Sequence, residues 1–263
     1  MNYIPYLNQL KFNPLKLYNS KEIAKMKFGK AQIGTGGLVK IRHVKSPIYG
    51  LKIKQQSFNK VLQKISLPNS MFGSISKRNN ILNALAHIQS KYFLKVDLKN
   101  FFSNINNRQV HQTLLKYGFS WHEARIITRI STVDGNLPQG APTSPILANL
   151  VLSFTAMELE QFCKEKDIIF TCYLDDLTFS CKVQFNIFYA EILDIIKKGG
   201  FYLNHKKIQS RKNICEVTGL IIKDGQLHLE EEMKKRLNNP GVYAYSKLIK
   251  LLFNEYKNNT KLI

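Results

Sequence analysis

The chain has 263 residues, 44% of them hydrophobic, so it can bury a sizeable core, which excludes a disordered tail. Lys and Arg number 39 and Asp and Glu 18, and the net charge of +21 favours a polyanion such as nucleic acid as partner. Four cysteines without a CxxC pair argue against a zinc site or a disulfide framework, and no signal peptide or membrane span is visible, so we expect a cytoplasmic protein without a membrane partner.

Hydrophobic spacing predicts the elements in chain order. Residues 1–30 are expected to form a basic helical lead-in and residues 34–50 a short hairpin. Further helices are predicted at residues 54–65, 79–90, 107–117, 121–131, 144–164 and 187–198, and again over about the last thirty residues. Strands are predicted at residues 92–98, 168–173, 177–181, 216–222 and 226–229. This order indicates the α+β class with an antiparallel sheet.

Three of the seven aspartates stand where a carboxylate is costly unless it has a function. Asp97 ends an apolar strand, and Asp175 and Asp176 form the tip of a hairpin with apolar flanks. Like charges beside an apolar sheet need a neutralising cation, and hard oxygen ligands suit Mg²⁺. The alternative is an ordinary solvated turn, in which Asp is also common.

Neighbouring motifs favour the metal-binding interpretation. The string YLDD at 173–176 is similar to the YxDD box of reverse transcriptases, and LKVDLKNFF at 94–102 resembles their first catalytic motif. Between them, LPQGAPTSP at 137–145 resembles their LPQGxxxSP motif. NALAH at 83–87 and VTG at 217–219 fit the NAxxH and VTG signatures of retron reverse transcriptases. The resemblance covers residues 47–229, although Leu174 stands where retrons usually have Ala.

The resemblance implies an α+β right-hand polymerase in a single domain, 1–263. Its fingers would span about 1–90, its palm 91–228 with inserted fingers helices, and its short helical thumb 229–263. Two Mg²⁺ ions, with Mn²⁺ as a possible substitute, would bind Asp97, Asp175 and Asp176. Lys207 lies in LNHKK, which resembles the LNxxK motif, and is a candidate acid for the departing pyrophosphate; a solvated surface lysine is the alternative.

The resemblance also implies residues that bind the nucleic acid and the incoming dNTP. Phe102 occupies the position of an aromatic gate against a ribose 2′-hydroxyl, unless it is a core residue. Gln139, Gly140 and Tyr173 are expected at the template and incoming nucleotide. Recognition of the RNA is assigned to the two retron signatures, namely Asn83, His87, Val217, Thr218 and Gly219. Candidate phosphate or RNA-stem contacts are Lys77, Arg78, Lys234, Lys235, Arg236, Lys247 and Lys250.

A retron enzyme copies part of its own structured noncoding RNA into DNA. It starts from a guanosine 2′-hydroxyl, so the product is a branched RNA–DNA hybrid. Retrons act in bacterial defence against phages, and here the effector protein would be separately encoded. Two alternatives stay open: another intron-like or defence-associated reverse transcriptase, and a non-catalytic RNA-binding scaffold with the polymerase shape.

Overall fold

The computed structural model describes residues 17–27, 30–33 and 37–260, with side chains to residue 258. Clustering of the backbone divides the chain into two compact units. The first contains residues up to Leu67 together with Asn100–Leu152. The second contains Pro68–Lys99 and the residues from Ser153 onwards. Both are described separately below.

The first unit opens with strands where a helix was expected. Strand β1 (Tyr18–Ala24) pairs antiparallel with β4 (Ile41–Pro47), and the short strands β2 (Met26–Lys27) and β3 (Lys30–Ala31) pair with each other. The helical lead-in is therefore wrong for residues 18–27 and 30, and residues 1–16, 28 and 29 lie outside the described part. Pairing with β4, distant in sequence, overrides the local helical pattern.

Four helices lie entirely within the described part of the first unit. Helix α1 (Tyr49–Leu62) begins five residues earlier than predicted, after Ile48, and its Gln55 side chain donates 2.6 Å hydrogen bonds to Tyr18 and to the Ile130 carbonyl. The remaining helices are α3 (Phe101–Asn104), α4 (Asn107–Lys116) and α5 (Trp121–Ser131). Capping boxes at Asn106 and Ser120 start α4 and α5, close to the predicted bounds.

The second unit is built on a four-stranded antiparallel sheet in the order β6-β7-β5-β8. The strands are β5 (Tyr92–Asp97), β6 (Ile169–Tyr173), β7 (Asp176–Cys181) and β8 (Gln209–Lys212). The first three were predicted because their residues are apolar. Strand β8 (QSRK) was missed because all four residues are polar and exposed, so only its pairing with β5 identifies it.

A second sheet, β9 (Ile214–Val217), β10 (Leu220–Lys223) and β11 (Gln226–Leu229), packs with α2 (Asn80–Ala86) and α9 (Pro240–Thr260) around a common core. The single strand predicted at residues 216–222 is wrong. Thr218 and Gly219 have φ values of 47° and 84°, and this left-handed turn divides the segment into β9 and β10. Helices α7 (Tyr189–Lys198) and α8 (Glu231–Lys234) belong to the same unit.

Helix α6 (Ser144–Glu165) begins in the first unit and ends in the second. Its length and composition would allow it to cross a membrane, but 67% of its most apolar stretch is buried inside the protein. Such burial is typical of a core helix. The α+β class and the antiparallel sheet predicted from the sequence are thus confirmed.

Candidate active site

Two of the three predicted aspartates face each other across adjacent strands. Asp97 is the last residue of β5 and Asp176 the first of β7, and the two are register partners. Directly opposite residues of an antiparallel pair have Cβ atoms about 4.5–5.5 Å apart. The side chain of Asp97 is buried, whereas Asp176 keeps an accessible surface. The sheet therefore brings these two carboxylates together at one edge.

Asp175 lies in the two-residue connection between β6 and β7. Tyr173 pairs with Asp176, and Leu174 adopts a left-handed backbone with φ 57°, which is rare for a branched side chain. The Leu98 amide donates a 2.9 Å hydrogen bond to the Asp175 carbonyl, which ties this turn to the end of β5. The backbone thus holds the whole YLDD tip beside Asp97.

The LNHKK segment at 203–207 supplies two partners to the Asp97 carboxylate. Lys207 Nζ lies 2.6 Å from Asp97 Oδ2, and Asn204 Nδ2 donates to Oδ1 at 2.8 Å. The backbone supports this, since the Asn204 amide donates to the Asp97 carbonyl and the Lys207 amide to the Asn204 carbonyl. Asn204 is a site residue that the sequence analysis missed; the LNxxK string was the signal that could have identified it.

The charges of the site shift two pKa values. Burial, the charge of Asp175 and, to a lesser degree, that of Asp97 raise the pKa of Asp176 to about 6. The neighbouring ammonium groups of Lys95 and Lys207 act in the opposite direction but do not cancel this effect. Partial burial lowers the pKa of Lys207, but its bond to Asp97 and the charges of all three aspartates outweigh burial and leave it raised.

These residues suit a divalent cation chemically. Within the part of the chain that the structure describes, no three His, Cys, Asp or Glu side chains are close enough together to form a ready metal cage. Burial, with the charges of Asp175 and Asp97 added to it, nevertheless makes the ionised form of Asp176 costly without a cation. A hard cation with oxygen ligands relieves such an excess, so the donor set fits Mg²⁺ or Mn²⁺.

Gln139 and Gly140 belong to the first unit. Gln139 lines a cavity of about 390 Å³ together with basic side chains, namely Lys25, Arg42, His43 and Lys45. Its buried Oε1 atom has no hydrogen-bond partner among the described residues, and such unsatisfied atoms are rare in folded proteins. Gly140 has φ 112°, and a Cβ there would lie 2.6 Å from Val44 Cγ1. A residue with a Cβ atom at this position would clash with β4, which explains why glycine stands here. The sequence analysis did not give this reason.

Phe102 lies in α3 of the first unit, half-buried, with its ring centroid 5.4 Å from that of Phe101. Tyr173 ends β6 in the second unit and is also half-buried. The aspartates, Lys207 and Tyr173 therefore share one unit, while Phe102, Gln139 and Gly140 share the other.

The retron signature residues connect α2 with the turn between β9 and β10 inside the second unit. The hydroxyl of Thr218 donates to the Asn80 carbonyl at 3.2 Å and accepts from Asn83 Nδ2 at 3.3 Å. Asn83, His87 and Val217 are completely buried, whereas Thr218 and Gly219 are half-buried. The three buried side chains are not accessible to RNA in this structure, and RNA recognition by this set stays a prediction.

Several predicted phosphate contacts have partners within the protein. Arg78 donates hydrogen bonds of 2.5 and 2.6 Å to the carbonyls of Pro68 and Met71, so its guanidinium has a structural role. Lys234 and Lys235 form ion pairs with Glu231 and Glu232, one turn away. Both lysines keep exposed side chains. The following basic residues stay predictions as RNA contacts: Lys77, Lys234, Lys235, Arg236, Lys247 and Lys250.

Comparison with known proteins adds independent information. A family model described as reverse transcriptase (RNA-dependent DNA polymerase) matches residues 36–222. The chain is 29% identical to retron Ec86 reverse transcriptase of Escherichia coli, over 67% of this chain and 57% of that protein. It is 26% identical to retron Se72 reverse transcriptase of Salmonella heidelberg (strain 579083-10), over 80% and 59%. The chain thus spans less than three fifths of the length of either relative.

Solved structures share the fold. Telomerase from Candida albicans, in complex with a fragment of telomeric RNA, matches with a TM-score of 0.52 at 11% identity, over 73% of this chain and 45% of that chain. Apo telomerase from Candida tropicalis matches with a TM-score of 0.52 at 13% identity, over 75% and 46%. At such low identity the likeness concerns the fold alone.

Proposed function

The chain belongs to the reverse transcriptase family, and we propose that it acts as the RNA-directed DNA polymerase of a retron. The predicted resemblance to retron-type enzymes and the right-hand polymerase fold are confirmed by the family match, the retron relatives and the shared fold. The boundaries of fingers, palm and thumb given above stay predictions. One observation carries the proposed activity: Asp97 and Asp176 face each other across β5 and β7, with Lys207 and Asn204 bound to Asp97.

In this proposal, Asp97, Asp175 and Asp176 hold two Mg²⁺ ions. When bound, such ions activate a primer 3′-hydroxyl and stabilise the leaving pyrophosphate. Asn204 fixes the orientation of the Asp97 carboxylate through Oδ1. The antiparallel pairing of β5 and β7 fixes the backbone on which both carboxylates stand, and such preorganisation is a large part of catalysis of this kind.

Lys207 is proposed to donate a proton to the leaving pyrophosphate. Its raised pKa keeps the side chain protonated at neutral pH, which is the state that a proton donor requires. Its stem is largely exposed, so Nζ can exchange the carboxylate of Asp97 for a phosphate oxygen. A Lys207→Met variant is expected to slow single-nucleotide addition without preventing binding of template and primer.

We assign nucleotide and template contacts to Gln139, Gly140, Tyr173 and Phe102. The unpartnered Oε1 of Gln139 and the basic lining of its cavity support this assignment, because dNTPs and nucleic acids carry both polar base edges and phosphates. Phe102 is proposed to exclude a ribose 2′-hydroxyl by its bulk. A Phe102→Ala variant would then incorporate ribonucleotides more readily.

The wider retron role is also part of the proposal. The enzyme would copy part of its cognate noncoding RNA into branched, multicopy single-stranded DNA and act in antiphage defence with a separately encoded effector. The names of its bacterial relatives support the retron assignment. The four cysteines are free and buried, which supports residence in the reducing bacterial cytoplasm.

Primer extension by the purified chain on an annealed RNA template and DNA primer tests the polymerase activity. Asp97→Asn and Asp176→Asn are each expected to reduce extension by about a thousandfold, because metal ions contribute several kcal/mol and each 1.4 kcal/mol is tenfold. Asp194→Asn is the matched control, since Asp194 is an exposed carboxylate on α7 paired with Lys198. Unfolding temperatures must show that all variants fold.

Expression with flanking genomic DNA tests the retron role. Copurifying nucleic acid is treated with RNase and debranching enzyme. A discrete short DNA whose mobility changes on debranching, absent in the Asp175→Asn/Asp176→Asn variant, is the expected result. Linear DNA of mixed length would indicate another class of reverse transcriptase, and bound RNA without DNA would indicate a scaffold.

A further inference from the structure

A second cavity, of about 430 Å³, lies in the first unit on the surface of α4 and α5. Its lining is rich in arginine, with Arg108 from α4 and Arg125 and Arg129 from α5, together with His111. None of these residues belongs to the motifs assigned above. The cavity is large enough for one nucleotide, whose phosphate and base require a cation and a flat apolar surface respectively.

The charge of the cavity is positive because its acidic neighbour is already paired. Asp134, the acidic residue among the described lining residues, forms an ion pair with Lys45. Glu123 on α5 accepts hydrogen bonds from the amide and hydroxyl of Ser120, at 2.9 and 2.8 Å, in the capping box. The exposed arginines therefore dominate the electrostatic potential of the cavity. Guanidinium groups bind phosphate through two parallel hydrogen bonds.

Trp121, the single tryptophan of the chain, stands beside these arginines. Its side chain is 59% exposed, which is unusual for so large an aromatic residue. The Arg125 guanidinium lies 5.2 Å from its ring centroid, and the His111 ring contacts it edge-on at 6.0 Å. Exposed aromatic rings among cations are the usual platform on which single-stranded nucleic acids stack their bases.

An unsatisfied polar atom points independently to a ligand. Thr128 lines the cavity and is only 7% exposed, and its Oγ1 atom has no hydrogen-bond partner among the described residues. A buried hydroxyl without a partner is costly in a folded protein. Because Thr has two common χ1 rotamers in a helix, rotation of the side chain would turn this buried hydroxyl toward a phosphate or sugar oxygen in the cavity.

We propose that this cavity binds one nucleotide of single-stranded RNA, with the base stacked on Trp121 and the phosphate held by Arg108, Arg125 and Arg129. The choice of RNA as ligand rests on the proposed function. The cavity would hold this RNA on the first unit, which does not contain the aspartates. Duplex RNA does not fit, because its bases are already stacked on each other and present no free face.

Intrinsic fluorescence tests this directly, because all tryptophan emission comes from Trp121. The full chain is titrated with an unstructured adenine-rich RNA oligonucleotide, without metal or dNTPs. The expected result is saturable quenching of the emission as the base stacks. Fluorescence anisotropy of labelled RNA gives affinities for variants. Trp121→Ala and Arg108→Gln/Arg125→Gln are each expected to weaken binding by about tenfold, within the range for one stacked base.

The matched control is Lys52→Gln/Lys60→Gln, which removes the same two charges from exposed positions on α1, outside this cavity. Equal loss of affinity in the control and in the arginine variant would overturn the proposal, since it would indicate general electrostatic attraction. Anisotropy that saturates without quenching would also overturn it, because RNA would then bind elsewhere. Equal quenching by free AMP would overturn the single-strand assignment and indicate a mononucleotide site.

The titration and primer extension, both with the wild type, together separate the two proposals. Because no nucleotide is incorporated in the titration, quenching without any primer extension by the wild type would support the RNA site and contradict the polymerase activity. Extension on an annealed template and primer without quenching would do the reverse.

Discussion

At the scale of single residues, His87 shows how a signature residue can serve the fold. Its Nδ1 atom lies 2.6 Å from Ser180 Oγ and its Nε2 atom 2.7 Å from Thr171 Oγ1. These contacts attach α2 to β7 and β6. Burial lowers the pKa of His87 to about 3, so the ring is neutral at pH 7. The sequence identified the residue, but only its burial explains why a histidine with two hydrogen-bonding nitrogens is suited to this position.

The buried histidine predicts a pH dependence of stability. Because its folded pKa lies below the unfolded value of about 6.5, the unfolded state binds a proton first as the pH falls. The contribution of neutral His87 to the free energy of unfolding is therefore complete above about pH 6.5. It is lost as the pH falls below that value, and the loss is about 2 kcal/mol between pH 7 and pH 5. Urea unfolding at both pH values should show this loss, and His87→Gln should reduce it. An unchanged pH dependence in the variant would contradict the assignment.

At the scale of elements, the turn between β6 and β7 depends on a glycine far away in sequence. A Cβ added to Gly73 would lie 2.7 Å from the Leu174 amide nitrogen and 2.8 Å from its Cγ atom. Backbone atoms cannot move aside as a flexible side chain can. Gly73 is thus a positioning residue for the tip that carries Asp175 and Asp176.

A methyl group at Gly73 should therefore displace the YLDD tip. Gly73→Ala is expected to reduce the rate of primer extension by about tenfold to a hundredfold, because displacements near 1 Å can have effects of that size. Gly50→Ala is the control, since nothing lies within 4 Å of a Cβ at that position. Both variants are compared by kcat and by unfolding temperature. Equal activity of the two variants would show that the tip tolerates the methyl group.

At the scale of the whole molecule, the net charge of +21 determines how the protein meets nucleic acid. Some of this charge is neutralised internally, as Lys207 is by Asp97 and Lys95 by Glu216. Much of the remainder stands on exposed surfaces, including the arginines around Trp121. Exposed positive charge attracts phosphate groups whatever the nucleotide sequence. Specificity for one nucleic acid must therefore come from sites with a defined geometry.

Binding of single-stranded RNA should accordingly weaken steeply with salt. With six phosphate contacts, affinity is expected to fall at least about a hundredfold between 50 and 200 mM salt, because each contact releases condensed counterions. Anisotropy measured over this range gives the slope. The Asp175→Asn/Asp176→Asn variant should bind at least as tightly as the wild type, since two negative charges are lost. Salt-independent affinity would contradict the electrostatic account.

The sequence predicted some elements and residues correctly and missed others, for physical reasons. Periodic apolar residues identified most helices and the strands of the main sheet, because burial imposes that periodicity. The polar strand β8 and the strand β1 were missed because their pairing depends on distant segments. The strands β2 and β3 pair with each other, but at two residues each they are too short to show a period in the sequence. Arg78 was predicted to bind phosphate from its charge and its position in the sequence, whereas its guanidinium donates hydrogen bonds to two carbonyl groups of its own unit.

The sequence by itself determined the family, because motifs in a given order specify a chemistry regardless of how the chain packs, and the α+β class, because the elements follow each other in a given order. It also predicted the three aspartates as the metal site. Only the tertiary structure decided that Asp97 pairs with Asp176 across two strands, that Asn204 and Lys207 bind Asp97, and that the signature residues Asn83 and His87 are buried. These facts depend on strand register and burial, which join residues many positions apart. Linear spacing carries no record of those contacts.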